Sequence, residues 1–514
     1  MNTDSISDTT IPVTCSFRPS ATFPLYWKKL INLGYAADLI NHDIESQLQK
    51  VQSLSAFEYG RICGIIDTIS IFHTTDDVLY DFTDTLYLLD ILIRQNIFPF
   101  LELGNKQFMI QENMMSYIAS GQLMNSDEYF NNLLSVLPSF LHACVNRYGE
   151  DTVSSWRFEV SYPYTFFSER EEFTFRKYLV YFKKIASLIH HILPSAQIGG
   201  PGFNDWDNDN SASVIRSMLR AFRTNHVTPD FITAYNYSMK HDDIQKTYIT
   251  EDPETFQNRL SVFASLIHET YPQMDIWITE FNSNISSRTY INDMSYQAAF
   301  LAKSLTDMLS CNISAMGYYL LSDLPLRYDD TYDFLFGGWG LFSDTGIAKP
   351  SFHIYTMMQT LGHYLLKAGK EYIITANSTG SYQLFFFQYD HLRPEVLDRN
   401  IAKEELKKPE DIFFLHPDRH YQVQLKDVPP GIYFIKKFTV SISDGNLFHE
   451  WEKVKYLNWN RQYEYDDFAY LSAMRPEIQV ITVLPGEPVT LSVTTSSLSA
   501  HLYLIEWHSK GENA

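Results

Sequence analysis

The chain has 514 residues, too many for one compact core, and we expect two or three domains. With 45% hydrophobic and 20% charged residues, its composition argues against large-scale disorder. Its net charge of −21 argues against direct nucleic-acid binding, which needs clustered Lys and Arg.

The start of the chain, "MNTDSISDTT", lacks the basic and apolar regions of a signal peptide. We find no apolar run near the roughly 18 residues that a membrane-spanning helix needs. The four cysteines lack the spacing of a zinc site or a disulfide framework. We therefore expect a cytoplasmic protein that has no membrane contact, no metal and no other cofactor.

Up to about residue 360, strand-like apolar runs alternate with segments whose apolar residues have helical spacing. The runs cover residues 34–40, 58–66, 97–103, 156–160, 196–202, 230–237, 275–282 and 314–321. Eight strands, each followed by helical sequence, predict an α/β fold, a (β/α)8 TIM barrel over residues 16–361. The alternative is an open doubly wound sheet, but no Gly-rich phosphate loop supports it.

After about residue 362 the sequence changes to short β-rich runs divided by turns, as in "KDVPPGIYFIKKF". This pattern predicts an attached C-terminal antiparallel β-sandwich over residues 362–514. We expect an N-terminal strand near residues 10–15 to join it. The sequence leaves the oligomeric state open, including a homo-oligomer.

Functional side chains of such a barrel collect where its strands end. Glu280 follows the apolar run "DIWI" and is the best candidate. A carboxylate there can attack an anomeric carbon or orient a hydroxyl, and an ion pair in the barrel mouth is an equal alternative. For Glu159 a structural pairing with Arg61 or Arg157 is favoured, because buried carboxylates are usually paired.

Several segments follow a known order of motifs. "WRFEV" matches W-x-F-E-[VI], "DFITAYNYS" is close to D-F-[VI]-S-x-H-x-Y, and "IWITEFN" contains I-T-E-[WFY]-N. "FGGWGLFSDTGIAKPSF" is close to a G-G-F-G loop with its P-x-[FY] helix. Together they resemble glycoside hydrolase family 39, the β-xylosidase and α-iduronidase family, and most of all its bacterial β-xylosidase branch. The resemblance covers nearly the whole chain.

The resemblance implies a retaining glycosidase built on a barrel with an attached β-sandwich. Its mechanism needs two carboxylates about 5–5.5 Å apart, one as nucleophile and one as acid/base. Motif matching places the nucleophile on Glu280. The acid/base belongs to W-N-E-P directly after F-E-[VI], where this sequence reads "SYPY" at 161–164 and has neither Asn nor Glu.

Other sugar-facing positions also depart from the family pattern. Cys63 and Tyr235 stand where the family has His, and Tyr319 stands where it has Trp. The rings of Tyr164, Phe166 and Phe167 would make a wall for a sugar rather than a proton donor. The substrate-binding set that the resemblance implies is Arg61, Cys63, Glu159, Tyr162, Tyr235, Tyr237, Asn282, Tyr319 and Trp339.

We therefore expect a protein that binds a β-xyloside-like carbohydrate with weak or no hydrolysis, as in the sensor part of a sugar-responsive regulator. The alternative is an active retaining β-xylosidase-type enzyme with a relocated acid/base, for which Glu102 and the "EREE" run at 169–172 are candidates. We favour the start of a helix for that run, because acids suit the helix dipole. A third reading, an interaction scaffold, has no specific support. The sequence leaves the sugar and its linkage open.

Overall fold

The computed structural model describes residues 10–18, 21–73, 78–104, 126–162, 174–204, 211–241, 247–454 and 462–508, the side chains at 241, 247, 454 and 462–465 excepted. Within these ranges no helix is both long and apolar enough to cross a membrane.

Eight parallel strands close into a barrel, each paired with the next and the eighth with the first. Barrel strands 1 to 8 are Leu30–Tyr35, Tyr59–Cys63, Phe98–Glu102, Arg157–Glu159, Gln197–Phe203, Phe231–Tyr237, Asp275–Asn282 and Ala315–Tyr318. The predicted (β/α)8 TIM barrel is confirmed. The first predicted strand, at 34–40, was misplaced, because the strand ends at Tyr35 and residues 36–39 form a 3-10 turn.

The misplacement has a physical cause in Asn32, a polar residue in the middle of barrel strand 1. Its side chain is 1% exposed. Its amide donates to the carbonyl oxygens of Thr279, Gly317 and Tyr318 at 2.8, 3.0 and 3.2 Å. The partners of this buried amide lie far along the chain, so the neighbouring sequence does not indicate them. An Asn also makes the run less apolar, and the strand is therefore harder to recognise.

Helices surround the barrel and cover its outer face. Phe175–Ile192 shows why they form: the Thr174 hydroxyl accepts from the Lys177 N–H at 3.3 Å as an N-cap, and Tyr178, Phe182 and Ile185 lie on one buried stripe. The barrel helices are His42–Ser55, Thr83–Arg94, Ser126–Tyr148, Glu150–Ser154, Phe175–Ile192, Ser211–Thr224, Thr255–Thr270, Ser295–Asp307 and Pro350–Gln359. Short hairpins are formed by Ser70–His73 with Val78–Asp81 and by Met239–His241 with Thr247–Ile249.

One end of the barrel interior is filled by large side chains. Trp277 packs against the rings of Tyr59, Phe100 and Phe231 at centroid distances of 5.5, 5.5 and 5.8 Å. These residues lie toward the beginnings of their strands. A ligand site therefore belongs at the other end, where the strands finish.

The C-terminal part contains two packed sheets, as predicted for a β-sandwich. The six-stranded sheet runs, in spatial order, Tyr364–Gly369, Tyr372–Ser378, Ser381–Gln388, Ser499–His508, Gly431–Val440 and Glu477–Val483. The other sheet contains Ile11–Ser16, Arg419–Lys426 and Val489–Thr495. Ile11–Ser16 pairs in parallel with Arg419–Lys426, while the remaining pairs are antiparallel. Domain limits at 361/362 stay a prediction.

The C-terminal part also contains the helices Pro409–Ile412, Leu447–Val454 and Gln462–Leu471, whose apolar side chains share one hydrophobic cluster with Ile291 and Tyr296 of the barrel. The Tyr290 N–H donates to the Ile401 carbonyl at 3.0 Å, and the Ile401 N–H donates to the Thr289 hydroxyl at 3.1 Å. The loop that follows barrel strand 7 is therefore fixed by the C-terminal part. The sequence pattern did not predict this contact.

His353 makes the stability of the protein depend on pH where the helix Pro350–Gln359 meets the C-terminal part. It is buried on the helix Pro350–Gln359, and its Nε2 lies 3.0 Å from the Ser472 carbonyl. Burial lowers the pKa of His353 to about 4, from 6.5. Between these values the unfolded chain binds the extra proton, so the stabilisation present above pH 6.5 is lost as the pH falls toward 4. We expect His353→Gln to reduce the loss of unfolding free energy between pH 7 and 4.5 by about 2 kcal/mol.

Urea unfolding at the two pH values measures this difference. The matched control is His420→Gln, because His420 is a partly exposed residue of the sandwich, with Nδ1 3.0 Å from the Thr494 hydroxyl. The control should lose as much stability as the wild type on acidification. An equal loss in His353→Gln would show that this histidine is not the group that titrates.

Candidate active site

Arg61, in the middle of barrel strand 2, joins two carboxylates at the barrel mouth. Its Nε donates to Glu159 Oε2 at 2.7 Å, and its Nη1 donates to Glu280 Oε1 at 2.6 Å. The Arg61 side chain is fully buried. Burial lowers the pKa of Arg61, but Glu159 and its other neighbours outweigh this and the pKa lies well above its usual value. The guanidinium is thus a fixed positive charge shared by strands 4 and 7.

Glu280 is held as a hydrogen-bond acceptor through both oxygens. Oε1 accepts from Arg61, and Oε2 accepts from the Tyr237 hydroxyl at 3.3 Å. Burial raises the pKa of Tyr237 above its ordinary value, so its hydroxyl remains protonated and available as a donor. Two donors thus hold the Glu280 carboxyl group in one orientation, as a carboxylate nucleophile requires.

A register irregularity in barrel strand 7 directs the Glu280 side chain toward Arg61. Barrel strand 7 shifts against strand 6 between Ile278 and Glu280. Regular alternation would send Thr279 and Glu280 to opposite faces, but both reach this cluster: the Thr279 hydroxyl donates to Glu159 Oε1 at 3.1 Å. Glu159 is therefore an acceptor through both oxygens as well, and its partner is Arg61.

The end of barrel strand 4 carries the Ser161 hydroxyl, in the stretch "SYPY" at 161–164 that stands where the family pattern has W-N-E-P. Ser161 is 2% exposed, and its Oγ lies 3.1 Å from the Tyr235 Oη. The Tyr235 hydroxyl also accepts from Arg61 Nη2 at 3.4 Å. Burial raises the pKa of Tyr235 well above its usual value. Both hydroxyls are poor proton donors to a leaving group at neutral pH.

Tyr162 lies on the helix side of the same strand end. Its ring packs edge-on against Phe175 and Tyr178, at centroid distances of 5.7 and 5.6 Å. These contacts give no support to the predicted sugar-binding role of Tyr162. Residues 163–173, which include the predicted ring wall and the "EREE" run, lie outside the described residues.

Glu102, at the end of barrel strand 3, reaches the neighbourhood of Ser161. It is fully buried, and its Oε1 accepts from the Gly104 N–H at 3.0 Å. A Cβ added to Gly104 would lie 2.4 Å from Glu102 Oε1 and 2.5 Å from the Ser161 Cβ. The Glu102 carboxylate therefore lies next to the side chain of Ser161, across Gly104.

The remaining altered positions also meet at the mouth. Cys63 Sγ accepts from Arg61 Nη1 at 3.4 Å. Burial, with Cys63 and Tyr237 nearby, raises the pKa of Tyr319 well above its usual value. The Tyr319 ring packs edge-on against Trp339 at 5.6 Å. Cys63, Tyr319 and Trp339 thus form one wall beside Arg61.

Asn282, predicted as a substrate-binding residue, bonds with groups of the protein. Its amide donates to the Tyr319 carbonyl at 2.5 Å, and its Oδ1 accepts from the Ser283 N–H and from Gln297 Nε2, both at 2.7 Å. The side chain is fully buried. These bonds use its polar atoms inside the protein, so Asn282 positions Tyr319 and the sugar-ligand interpretation gains no support.

The profile of the glycosyl hydrolases family 39 matches residues 13–452. The chain belongs to glycoside hydrolase family 39. A β-xylosidase from Geobacillus stearothermophilus is 24% identical over 377 residues, covering 70% of this chain and 73% of the relative. An uncharacterised HTH-type transcriptional regulator of Staphylococcus aureus is 20% identical over 271 residues, 52% of this chain and 34% of the regulator.

Solved family 39 structures agree with the fold. A monomeric β-xylosidase from Caulobacter crescentus superposes with a TM-score of 0.81 at 19% identity, covering 97% of this chain and all of that one. The resemblance drawn from the sequence motifs is therefore confirmed for the family and for its architecture.

Proposed function

We propose that this family 39 protein binds a β-xyloside-like carbohydrate at the mouth around Arg61 and Glu280 and hydrolyses it weakly or not at all. One observation carries the proposal. Directly after barrel strand 4 the chain reads "SYPY" at 161–164, so this stretch supplies no carboxylic acid for the retaining mechanism, and the Ser161 hydroxyl at its start bonds with Tyr235.

The size of the missing contribution supports binding over turnover. A general acid typically contributes roughly 10²–10⁴-fold to the rate, most of all when the leaving group is another sugar. The Asn that would hold the sugar 2-hydroxyl is also absent from "SYPY", and contacts to that hydroxyl strengthen in the transition state. The two losses compound, while Glu280 keeps its place at the end of barrel strand 7, held by Arg61 and Tyr237.

The same mouth is suited to binding. The partly exposed Tyr237 supplies a hydroxyl, Arg61 fixes the Glu280 carboxyl group from behind, and Tyr319 and Trp339 supply ring surface for the apolar face of a sugar. The likeness to an HTH-type transcriptional regulator supports a role as the sugar sensor of a regulator.

An active retaining β-xylosidase-type enzyme is the second candidate, and Glu102 favours it. Its carboxylate lies beside Ser161 and is fully buried. A proton donor at this place would approach the leaving group from the side of strands 3 and 4. In this alternative Glu280 is the nucleophile and Glu102 the relocated acid/base.

We expect xylobiose to raise the melting temperature of the wild-type protein without being cleaved. A ligand that binds only the folded state stabilises it by about 2.7 kcal/mol at a hundred times its dissociation constant. Differential scanning calorimetry and product analysis by chromatography measure the two effects. Cellobiose and maltose test whether the preference is for xylosides.

Glu280→Gln is the matched variant, because glutamine keeps the shape and can accept from Arg61. It should retain the thermal shift with xylobiose. Cleavage of xylobiose at ordinary enzymatic rates by the wild type, abolished in Glu280→Gln, would overturn the proposal in favour of the enzyme. Absence of any shift with every sugar would overturn both carbohydrate proposals.

A further inference from the structure

A buried ionic cluster lies behind the wall of the mouth. Lys349 Nζ lies 2.6 Å from Asp293 Oδ1 and 2.9 Å from Asp323 Oδ2. None of the three side chains is more than 1% exposed. Burying such a group is costly and is weak evidence of a purely stabilising role. The cluster therefore needs a role beyond stabilising the fold.

The cluster bonds the backbone on both sides of Trp339. Asp293 Oδ2 accepts from the Gly337 N–H at 2.7 Å, and Asp323 Oδ1 accepts from the Gly340 N–H at 2.5 Å. Lys349 Nζ donates to the Gly338 carbonyl at 2.7 Å. Each of the three charged groups thus holds one peptide group of the segment 337–340, which we call the glycine loop.

The glycine loop fits only without side chains at its glycines. Gly337 has φ +80°, and a Cβ there would lie 2.5 Å from the Thr289 nitrogen. A Cβ on Gly338 would lie 2.2 Å from Asp323 Oδ1. The backbone therefore lies directly on the cluster, and Trp339 is the loop residue that is free to present a side chain.

Trp339 carries an unused hydrogen-bond donor. Its side chain is 3% exposed, and its indole N–H has no acceptor among the residues that the structure describes. Leaving a buried donor unmatched is costly, and native structures rarely do so without a reason. Its ring packs against Tyr319, which lies near Cys63, Tyr237 and Arg61. The Trp339 ring therefore belongs to the wall of the proposed carbohydrate site.

Tryptophan at position 339 can both pack against a sugar and bond one of its hydroxyls. Phenylalanine at position 339 would offer a ring but no donor. Tryptophan adds an N–H that can bond a hydroxyl oxygen. Sites that are built to bond a hydroxyl discriminate strongly against analogues that lack it.

We propose that Lys349, Asp293 and Asp323 are positioning residues that set Trp339 as the hydrogen-bond donor to one hydroxyl of the bound carbohydrate. The inference rests on the proposed carbohydrate binding. It makes Trp339 a specificity-determining residue of the mouth and assigns the cluster a role in affinity.

Isothermal titration with xylobiose tests the inference. Trp339→Phe keeps a ring and removes the donor, and should raise the dissociation constant roughly 3–10-fold, the worth of one hydrogen bond. Lys349→Met should raise it at least as much. Lys349→Met in the Trp339→Phe background should add little, because the two changes act through the same contact.

The chain offers a matched control for the buried charge. Lys303, 7% exposed, bridges Asp307 and Glu254 at 2.5 and 2.9 Å and has no hydrogen bond to the glycine loop. Lys303→Met should destabilise the fold in a similar way and change the dissociation constant less than about twofold. Asp293→Asn replaces Lys349→Met if that variant does not fold, with the same direction expected.

Hydrogen exchange separates this inference from the proposed function. Amides of residues 337–341 should exchange faster in Lys349→Met than in the wild type, and at the wild-type rate in Lys303→Met. If the wild type binds no sugar, the proposed function fails, and equal exchange in both variants overturns the anchoring as well. If the wild type binds xylobiose and Lys349→Met binds as tightly as Lys303→Met, the inference is wrong.

Discussion

Replacing Arg61 with methionine will lower the free energy of unfolding by about 3–5 kcal/mol, because it leaves two buried carboxylates without their shared cation. Arg61 is fully buried, and its two ion pairs are 2.7 and 2.6 Å long. Methionine matches the volume of the side chain stem without supplying any donor. Urea unfolding followed by circular dichroism measures the loss.

The control is Arg216→Met. Arg216 pairs with Glu269 at 3.3 Å, and the two side chains are 46% and 58% exposed. Exposed pairs of this kind contribute about 0–1 kcal/mol. A similar small loss in Arg61→Met would mean that Glu159 and Glu280 are neutral or solvated, contrary to the acceptor roles of their oxygens.

Arg61→Lys adds a second comparison. An ammonium is a compact charge and cannot reproduce the fork that reaches both carboxylates and Tyr235. Arg61→Lys should recover part of the stability that Arg61→Met loses. It should not restore the fixed positions of Glu159, Glu280 and Tyr235. Sugar affinity should therefore remain impaired in Arg61→Lys even where folding is largely restored.

The sequence was informative about architecture, because each barrel strand is an apolar run of the right length between helical segments. Its one clear failure, barrel strand 1, comes from Asn32. That amide is satisfied by carbonyl groups of strands 7 and 8, near residues 279 and 317. A polar residue whose partners lie so far along the chain cannot be recognised as buried from its neighbours.

The sequence named residues of the candidate site but did not indicate how their side chains contact each other. Strand ends and motif matching pointed to Arg61 and Glu280, which the structure brings together. They gave no sign of the register shift that turns both Thr279 and Glu280 toward this cluster. They also gave no sign of the bonds that Asn282 makes inside the protein, because a polar residue at a strand end can bond the backbone as well as a ligand.

The cluster around Lys349 could not be predicted at all. Asp293 ends the 3-10 helix Tyr290–Asp293, Asp323 follows barrel strand 8, and Lys349 directly precedes the helix Pro350–Gln359. Only the closing of the barrel brings them together. The G-G-W-G sequence was visible, but its reason, the contact of glycine backbone with charged groups, belongs to the folded chain.

A dinitrophenyl β-xyloside will release a burst of phenolate from the wild-type protein and then react slowly, and azide will restore turnover. Attack by Glu280 on the anomeric carbon needs no acid when the leaving phenolate is stable. The xylosyl-enzyme ester that forms then needs a base to deprotonate water, and "SYPY" supplies none. Azide is already anionic, so it displaces the Glu280 carboxylate directly and gives xylosyl azide.

Absorbance of the released phenolate gives the burst and the steady rate, and mass spectrometry identifies the azide product. We expect azide to raise the steady rate at least tenfold, and at most by the roughly 10²–10⁴-fold that a general base contributes. Glu280→Gln should show neither burst nor azide effect. A fast steady rate without azide dependence would mean that a base is present, and Glu102→Gln would then decide its identity: if Glu102 is that base, this variant alone becomes dependent on azide.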